Sequence, residues 1–290
     1  MKKLVSLVLS TLLLFLLAGC GSGPEDTTTD KAEVQSLSIK GSDTMVHLVS
    51  TWTEEFMQSD AHVDISVTGG GSGTGIAALL NGTTDICAAS RGMKEKELKQ
   101  AQASNISPKE IAVARDGIVL VVNPENPVSS LTIDQLREIY TGKAKNWQEV
   151  GGPDAPIIVL SRESSSGTFI FFQEHVLNKE DYTASARLLP GTSALIQAVA
   201  ADKWAIAYVG LGFAAESQGN VKALAVQAQG QAAPVAPSEA TIRSGEYAIS
   251  RPLFFYTNGE PQGVAKKFVD FCLSPTGQDI VRKAGYVPVS

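Results

Sequence analysis

From Leu37 to the C-terminus, short apolar runs rich in β-branched residues take turns with segments whose apolar positions recur at helical spacing. That alternation predicts an α/β body on a mixed, mostly parallel sheet flanked by helices. Residues 37–40 and 63–67 read as strands, and 45–57 between them as a helix with Val46, Val49, Trp52 and Phe56 on its inner face. A glycine-rich turn at 69–75 leads to a helix at 76–80, then a strand at 85–89 and a charged helix at 94–103. The apolar stretch 111–122 is one buried strand or a pair of strands, and Asn123-Pro124-Glu125-Asn126-Pro127 ends it. Further on, helices are expected at 131–140, 169–176 and 193–201, and strands at 156–160, 205–209, 221–226 and 253–256. A terminal helical region at 262–284 buries Phe268 and Phe271. The proline pair marks a first crossing between two lobes and residue 250 a second. Residues 37–123 then begin lobe 1, 124–249 form lobe 2, and 250–290 complete lobe 1, with a ligand cleft between the lobes.

The N-terminus sets the compartment. Lys2-Lys3, an apolar run over 4–17 and Leu17-Ala18-Gly19-Cys20 form a secretory signal over 1–19. A cysteine at that exit has the pattern of a bacterial lipobox, with Cys20 as the lipidated first residue of the mature protein and 20–36 as a polar tether. This predicts an extracytoplasmic protein held to the membrane by its lipid. No later stretch is long enough to cross a bilayer. A net charge of −6 without a basic stripe argues against nucleic acid as a partner. Cys87 and Cys272 are either buried free thiols or a pair.

Candidate chemistry sits in four strand-to-helix turns. Arg162 followed by Ser164-Ser165-Ser166-Gly167-Thr168 offers a guanidinium fork, hydroxyl donors and the unpaired N–H groups of a helix start, which together suit a small tetrahedral anion. Ser166 or Thr168 would equally serve as a plain helix cap. Gly41-Ser42-Asp43-Thr44, Gly70-Gly71-Ser72-Gly73-Thr74-Gly75 and Ala89-Ser90-Arg91 are the other three turns. In a parallel α/β sheet all four lie at the carboxyl ends of strands and face one cleft. The glycine turn lacks the Gly-Lys-Ser/Thr of a nucleotide phosphate loop, so close approach of backbone to a ligand is the reading. No Gly-x-Ser-x-Gly elbow is present, and His47, His62 and His175 have neither catalytic pairing nor metal-site spacing. No catalysis, cofactor or metal is therefore expected.

These four turns in this order resemble the phosphate-binding lipoproteins of bacterial phosphate ABC transporters, the PstS-type family, over residues 37–290. The resemblance implies a two-lobe type II periplasmic-binding-protein fold that closes on inorganic phosphate and delivers it, as a monomer, to membrane permease subunits. It implies Arg162, Ser166, Gly167 and Thr168 as second-lobe ligands and Ser72 as a first-lobe ligand, with Ser42, Asp43, Thr44, Ser90 and Arg91 completing the candidate set. Ser164 stands where many members carry an acid that holds the arginine, which leaves Arg162 to Glu163 or to a partner not identifiable from sequence. Ser90 stands where many carry an aspartate. Counting back from Trp52 puts Asp43 in the place of the family's first-turn threonine, whereas a shift of one residue puts Thr44 there.

An acid in an anion site has a use. Phosphate near neutral pH keeps a proton that sulfate lacks, so a carboxylate accepts from the first and repels the second. Asp43 is the candidate acceptor, with helix capping as its alternative role. Arg91 either adds a second cation or pairs with a surface acid such as Glu95. Other readings are a sulfate or molybdate binder, a phosphate-binding surface sensor or adhesin, and a hydrolase.

Overall fold

Strand period sorts the side chains of this protein into cores on opposite faces of a central sheet. Along the strand β4 (Pro108–Val122), Ile118, Leu120 and Val122 enter one core while Val119 and Val121 enter the core behind it. In β3 (Ile86–Ala89), Ile86 and Ala88 face one way and Cys87 and Ala89 the other. Strands buried on both faces need helices on both, and the chain supplies them.

The computed structural model describes residues 34–289. The signal segment, Cys20 and all but the last residues of the expected tether lie outside the described residues. In chain order the remaining elements begin with β1 (Gln35–Gly41), α1 (Val46–Ser59), β2 (Val63–Thr68), α2 (Ser72–Leu80) and α3 (Glu95–Ala103). After β4 come β5 (Ser130–Thr132), α4 (Ile133–Thr141), β6 (Ile158–Arg162), α5 (Gly167–His175), β7 (Arg187–Leu189) and α6 (Thr192–Ala201). Then follow β8 (Ala205–Gly210), α7 (Leu211–Glu216), β9 (Lys222–Ala223), β10 (Ala225–Gln227), α8 (Glu239–Ser244), β11 (Ser250–Asn258), α9 (Gly263–Leu273) and α10 (Pro275–Lys283).

The main sheet runs β2-β1-β3-β11-β4-β8-β6-β7, with β9 added to β4, and β10 pairs with β5 apart from it. Pairing is parallel among β2, β1 and β3 and among β8, β6 and β7, and antiparallel where β11, β4 and β8 meet. β4 belongs to both halves. Its residues from Pro108 to Gly117 pair with β11, and Ile118 to Val122 pair with β8. One strand thus pairs with both groups of strands, and the proline pair expected to mark the crossing follows directly after it.

Each half has its own packing. In the first, α1 buries Leu48, Val49, Trp52 and Phe56 against β1, β2 and the terminal helices. Trp52 is fully buried and its indole N–H donates to the Gly277 carbonyl at 2.8 Å, so a large aromatic enters the core without an orphaned donor. In the second, α4 is capped by Thr132, whose hydroxyl accepts from Gln135 N–H, and ends at Gly142 in the left-handed region at φ 78°. Its Leu136, Ile139 and Tyr140 pack with Phe172 of α5 and Tyr208 of β8.

Departures from the sequence pattern are local. α2 begins at Ser72 because the glycine turn tightens directly into the helix. The expected strand at 221–226 is broken at Leu224 into β9 and β10, which pair with different partners. β5, β7, α7 and α8 are too short to carry a period.

Candidate functional site

All four turns meet. Ser42 N–H donates to the Ala88 carbonyl at 2.8 Å, fastening the turn after β1 to the end of β3. Gly71 N–H donates to the Gly41 carbonyl at 2.9 Å, and Gly73 N–H donates to the Ser165 carbonyl at 2.9 Å, which reaches the turn after β6 in the other half. Gly70 and Gly71 hold φ of 110° and 93°, open to glycine alone in practice. A Cβ on Gly71 would also stand 2.6 Å from the Ser165 carbonyl oxygen. The glycine turn, expected to approach a ligand, comes close to Ser165 of the Arg162–Thr168 segment.

The hydroxyls form a buried cluster at this junction. Ser42 Oγ–H donates to Ser90 Oγ at 2.9 Å, Ser72 Oγ lies 3.2 Å from Ser90 Oγ, and Ser90 N–H donates to Ser72 Oγ at 3.0 Å. Across the halves, Thr44 Oγ1 and Thr168 Oγ1 share a hydrogen bond of 2.9 Å. Gly167 is wedged against Ser72 and Ser90, so that a Cβ there would fall 2.3 Å and 2.6 Å from their hydroxyl oxygens. Ser42, Thr44, Ser72, Ser90, Ser166 and Thr168 are all buried. The helix starts of α2 and α5 both point their positive ends into this cluster. Ser166 also caps α5, its hydroxyl accepting from Thr168 and Phe169 N–H. Its hydrogen bonds are to the α5 backbone, and the accepting hydroxyl keeps its own proton to donate.

Two ion pairs flank the hydroxyls. Arg162, buried at the end of β6, pairs with Asp43 of the other half at 2.6 Å. Its guanidinium is further engaged by the Leu189 and Pro190 carbonyls and the Thr192 hydroxyl. Asp43 also accepts from Gly70 N–H at 3.0 Å. The partner that sequence could not find for Arg162 is therefore Asp43, and the exposed Glu163 has no part in it. The first turn brings the Ser42 and Thr44 hydroxyls into the cluster, while the Asp43 carboxylate between them goes to Arg162.

The second pair was not anticipated. Arg251 of β11 and Asp116 of β4, exposed by only 1% and 0%, lie 2.9 Å apart. Asp116 also accepts from Leu211 N–H, and Arg251 Nη2 donates to Thr168 Oγ1 at 2.9 Å. Burial pushes the Asp116 carboxyl up and the Arg251 guanidinium down, and the attraction of each for the other opposes this. A charge inside an apolar strand run was the available signal: Asp116 interrupts 111–122 and Arg251 precedes Leu253-Phe254-Phe255.

Arg91 is placed apart from the hydroxyls. Its guanidinium makes a two-pronged bond with Glu97 at 2.8 Å on each side, rather than with Glu95, which pairs with Lys99. Burial pushes the Glu97 carboxyl up, but the Arg91 fork and the Lys94 N–H outweigh it and leave the carboxyl below its usual range. Among the described residues Cys87 and Cys272 are both free and buried, and burial pushes the Cys87 thiol up to about 12.

A continuous mixed sheet shared by two halves, with hydroxyl-bearing helix starts from both converging on one buried junction, is the build of a solute-binding protein of the periplasmic kind. Residues 26–276 match the PBP superfamily domain, and the chain belongs to that superfamily. It is 34% identical over 285 residues to the phosphate-binding protein PstS of Staphylococcus aureus strain USA300, covering 96% of this chain and 85% of the relative. Among solved structures it resembles a phosphate ABC transporter substrate-binding protein with bound phosphate from Clostridium perfringens, at 34% identity and a TM-score of 0.79, covering 88% of this chain and 100% of the other. An ABC-type phosphate transport receptor from Vibrio cholerae matches at 28% identity and a TM-score of 0.69, covering 87% and 99%.

Proposed function

We propose that this protein captures inorganic phosphate between its two halves and delivers it to the permease of an ABC transporter. The observation that carries the proposal is the buried cluster in which Ser42, Thr44, Ser72 and Ser90 of one half meet Gly167 and Thr168 of the other, beside the Ser166 cap, at two helix starts. Hydroxyls and backbone N–H groups that converge from two sides suit an oxyanion with oxygens in four directions, and no metal is needed to hold it. Relatives named for phosphate binding or for phosphate transport, at 28–34% identity, support the choice of ligand.

In this proposal a phosphate bridging the halves favours the closed arrangement by its differential affinity for it. Arg162 supplies positive charge beside the cluster, and Asp43 orients it. Asp43 keeps lone pairs beyond those used by Arg162 and Gly70, and they are suited to the proton that distinguishes phosphate from sulfate. Lobe boundaries fall within β4 and at the start of β11. The N-terminal pattern supports export, lipidation at Cys20 and a tethered protein working outside the cytoplasm.

Isothermal titration of phosphate-stripped protein with phosphate, arsenate, sulfate and molybdate tests the ligand. Saturable phosphate binding with sulfate and molybdate excluded is the expected result. Tighter binding of sulfate or molybdate would replace the proposal with one for another oxyanion, and turnover of p-nitrophenyl phosphate would replace it with catalysis.

A further inference from the structure

Arg251 is the buried group that the four turns do not explain. It comes from β11, one of the two strands that join the halves, and its guanidinium is positioned from three directions. Nε and Nη2 grip Asp116 Oδ2 at 3.3 and 2.9 Å. Nη2 also reaches Thr168 Oγ1 at 2.9 Å and Thr44 Oγ1 at 3.4 Å, one hydroxyl from each half. The ring of Phe171 covers one face, its centroid 5.6 Å from Arg251 Cζ.

A guanidinium is planar, so these contacts assign its edges. The edge carrying Nε and one Nη2 hydrogen faces Asp116. The second Nη2 hydrogen then lies on the Nη1 side, and it points to Thr168 and Thr44. Nη1 shares that edge, is buried, and has no hydrogen-bond partner among the described residues. An orphaned buried donor on a charged group is costly, of order 1–3 kcal/mol or more. Arg162 shows the contrast, since each of its three nitrogens already has a protein partner.

Resting on the phosphate proposal above, we infer that Arg251 is a further ligand of the anion, presenting the Nη1–Nη2 edge to two of its oxygens beside the Thr44 and Thr168 hydroxyls. Asp116 is its standing counter-ion, so the site holds a guanidinium without a net charge when it opens. Because Arg251 sits on a joining strand, it contacts the ligand from between the halves, while the serines contact it from either side.

The test compares phosphate binding by wild type, Arg251→Lys and the double variant Asp116→Asn/Arg251→Gln, by calorimetry on phosphate-stripped protein. Lysine keeps the charge and loses the fork; the double variant removes both charges together. Both variants are expected to bind phosphate roughly 10- to 150-fold more weakly, as loss of a charge-assisted fork implies. A wild-type crystal structure with phosphate is expected to place an oxygen within about 3.2 Å of Arg251 Nη1. If Arg251→Lys binds within about threefold of wild type, or if Nη1 in that structure faces no phosphate oxygen, the assignment is overturned and Arg251 is structural only. The crystal structure decides the matter even if the double variant fails to fold. Absence of phosphate binding by the wild type would instead overturn the proposed function, and this inference with it.

Discussion

Gly167→Ala isolates the meeting of the two halves. Gly167 opens α5 in the second half, and its missing side chain is what lets the first half come close. An added Cβ would lie 2.3 Å from Ser72 Oγ, 2.6 Å from Ser90 Oγ and 3.0 Å from Ser72 Cβ. The Ser72 hydroxyl can swing away, but it then abandons the Ser90 N–H that it accepts at 3.0 Å. Ser72 Cβ cannot swing at all. The closed arrangement must therefore widen, at a cost of about 1–3 kcal/mol for one inserted carbon in a packed site.

That cost falls on closure alone. Each half keeps its own core, and replacing glycine by alanine outside the left-handed region stabilises a fold by about 0.4–1 kcal/mol through the unfolded chain. The midpoint of thermal unfolding of stripped protein should thus hold steady or rise slightly. Phosphate affinity measured by calorimetry should drop roughly 5- to 150-fold, the equivalent of 1–3 kcal/mol. Affinity within twofold of wild type would refute the reasoning, because it would mean that the liganded form does not bring Gly167 against Ser72 and Ser90. A drop in thermal stability of the stripped protein would refute it differently, by showing that the contact supports folding and not only closure.

Asp43→Asn is expected to narrow the preference for phosphate over sulfate by about tenfold or more in paired titrations, since an amide can donate to the unprotonated oxygen that a carboxylate repels; an unchanged ratio removes Asp43 from selectivity. Thr168→Val keeps the shape of the side chain but removes the hydroxyl shared by Thr44 and Arg251, and phosphate affinity should fall by about tenfold. Equal affinity by calorimetry would place the ligand elsewhere. The Glu97 carboxyl, below its ordinary value of 4.5 in the fold, contributes stability that is present above that value and is lost as pH falls through the lower folded one. Thermal melts between about pH 6 and pH 3 should therefore show a decline that Glu97→Gln flattens, and parallel declines would contradict it.

The hydroxyls of the buried cluster were legible because each belongs to a strand-to-helix turn, a local pattern of a few residues. Ser72, Ser90 and Ser166 to Thr168 could be read without knowing what lay across from them. Charges were harder, because a charge is defined by its partner. Arg162 and Asp43 are 119 residues apart and Arg251 and Asp116 are 135 apart, so neither pairing leaves a local trace. Arg91 shows the same difficulty at short range: a helical neighbour, Glu95, looked available, but the bend before α3 brings Glu97 to the guanidinium instead. The sheet was legible wherever its period was long enough. The change of partner within β4 was not visible, because its apolar run resumes at Ile118 directly after Arg115, Asp116 and Gly117.

In the proposed phosphate site the two ion pairs would divide the work, in a chain that is negatively charged. Arg251 and Asp116 lie on neighbouring strands that are paired to each other, so their contact does not depend on the halves coming together. Arg162 and Asp43 come from opposite halves, so theirs exists only when the halves meet. Separating them would expose a guanidinium still held by the Leu189 and Pro190 carbonyls and Thr192, and a carboxylate still held by Gly70. The arginine would then face the cleft with its charge uncompensated, ready for an anion, although the chain as a whole carries −6. Under the proposed function, closing would restore Asp43 as the anion is enclosed. Its negative charge would then oppose any ligand that cannot offer it a proton, which assigns discrimination in that proposal to closure rather than to first contact.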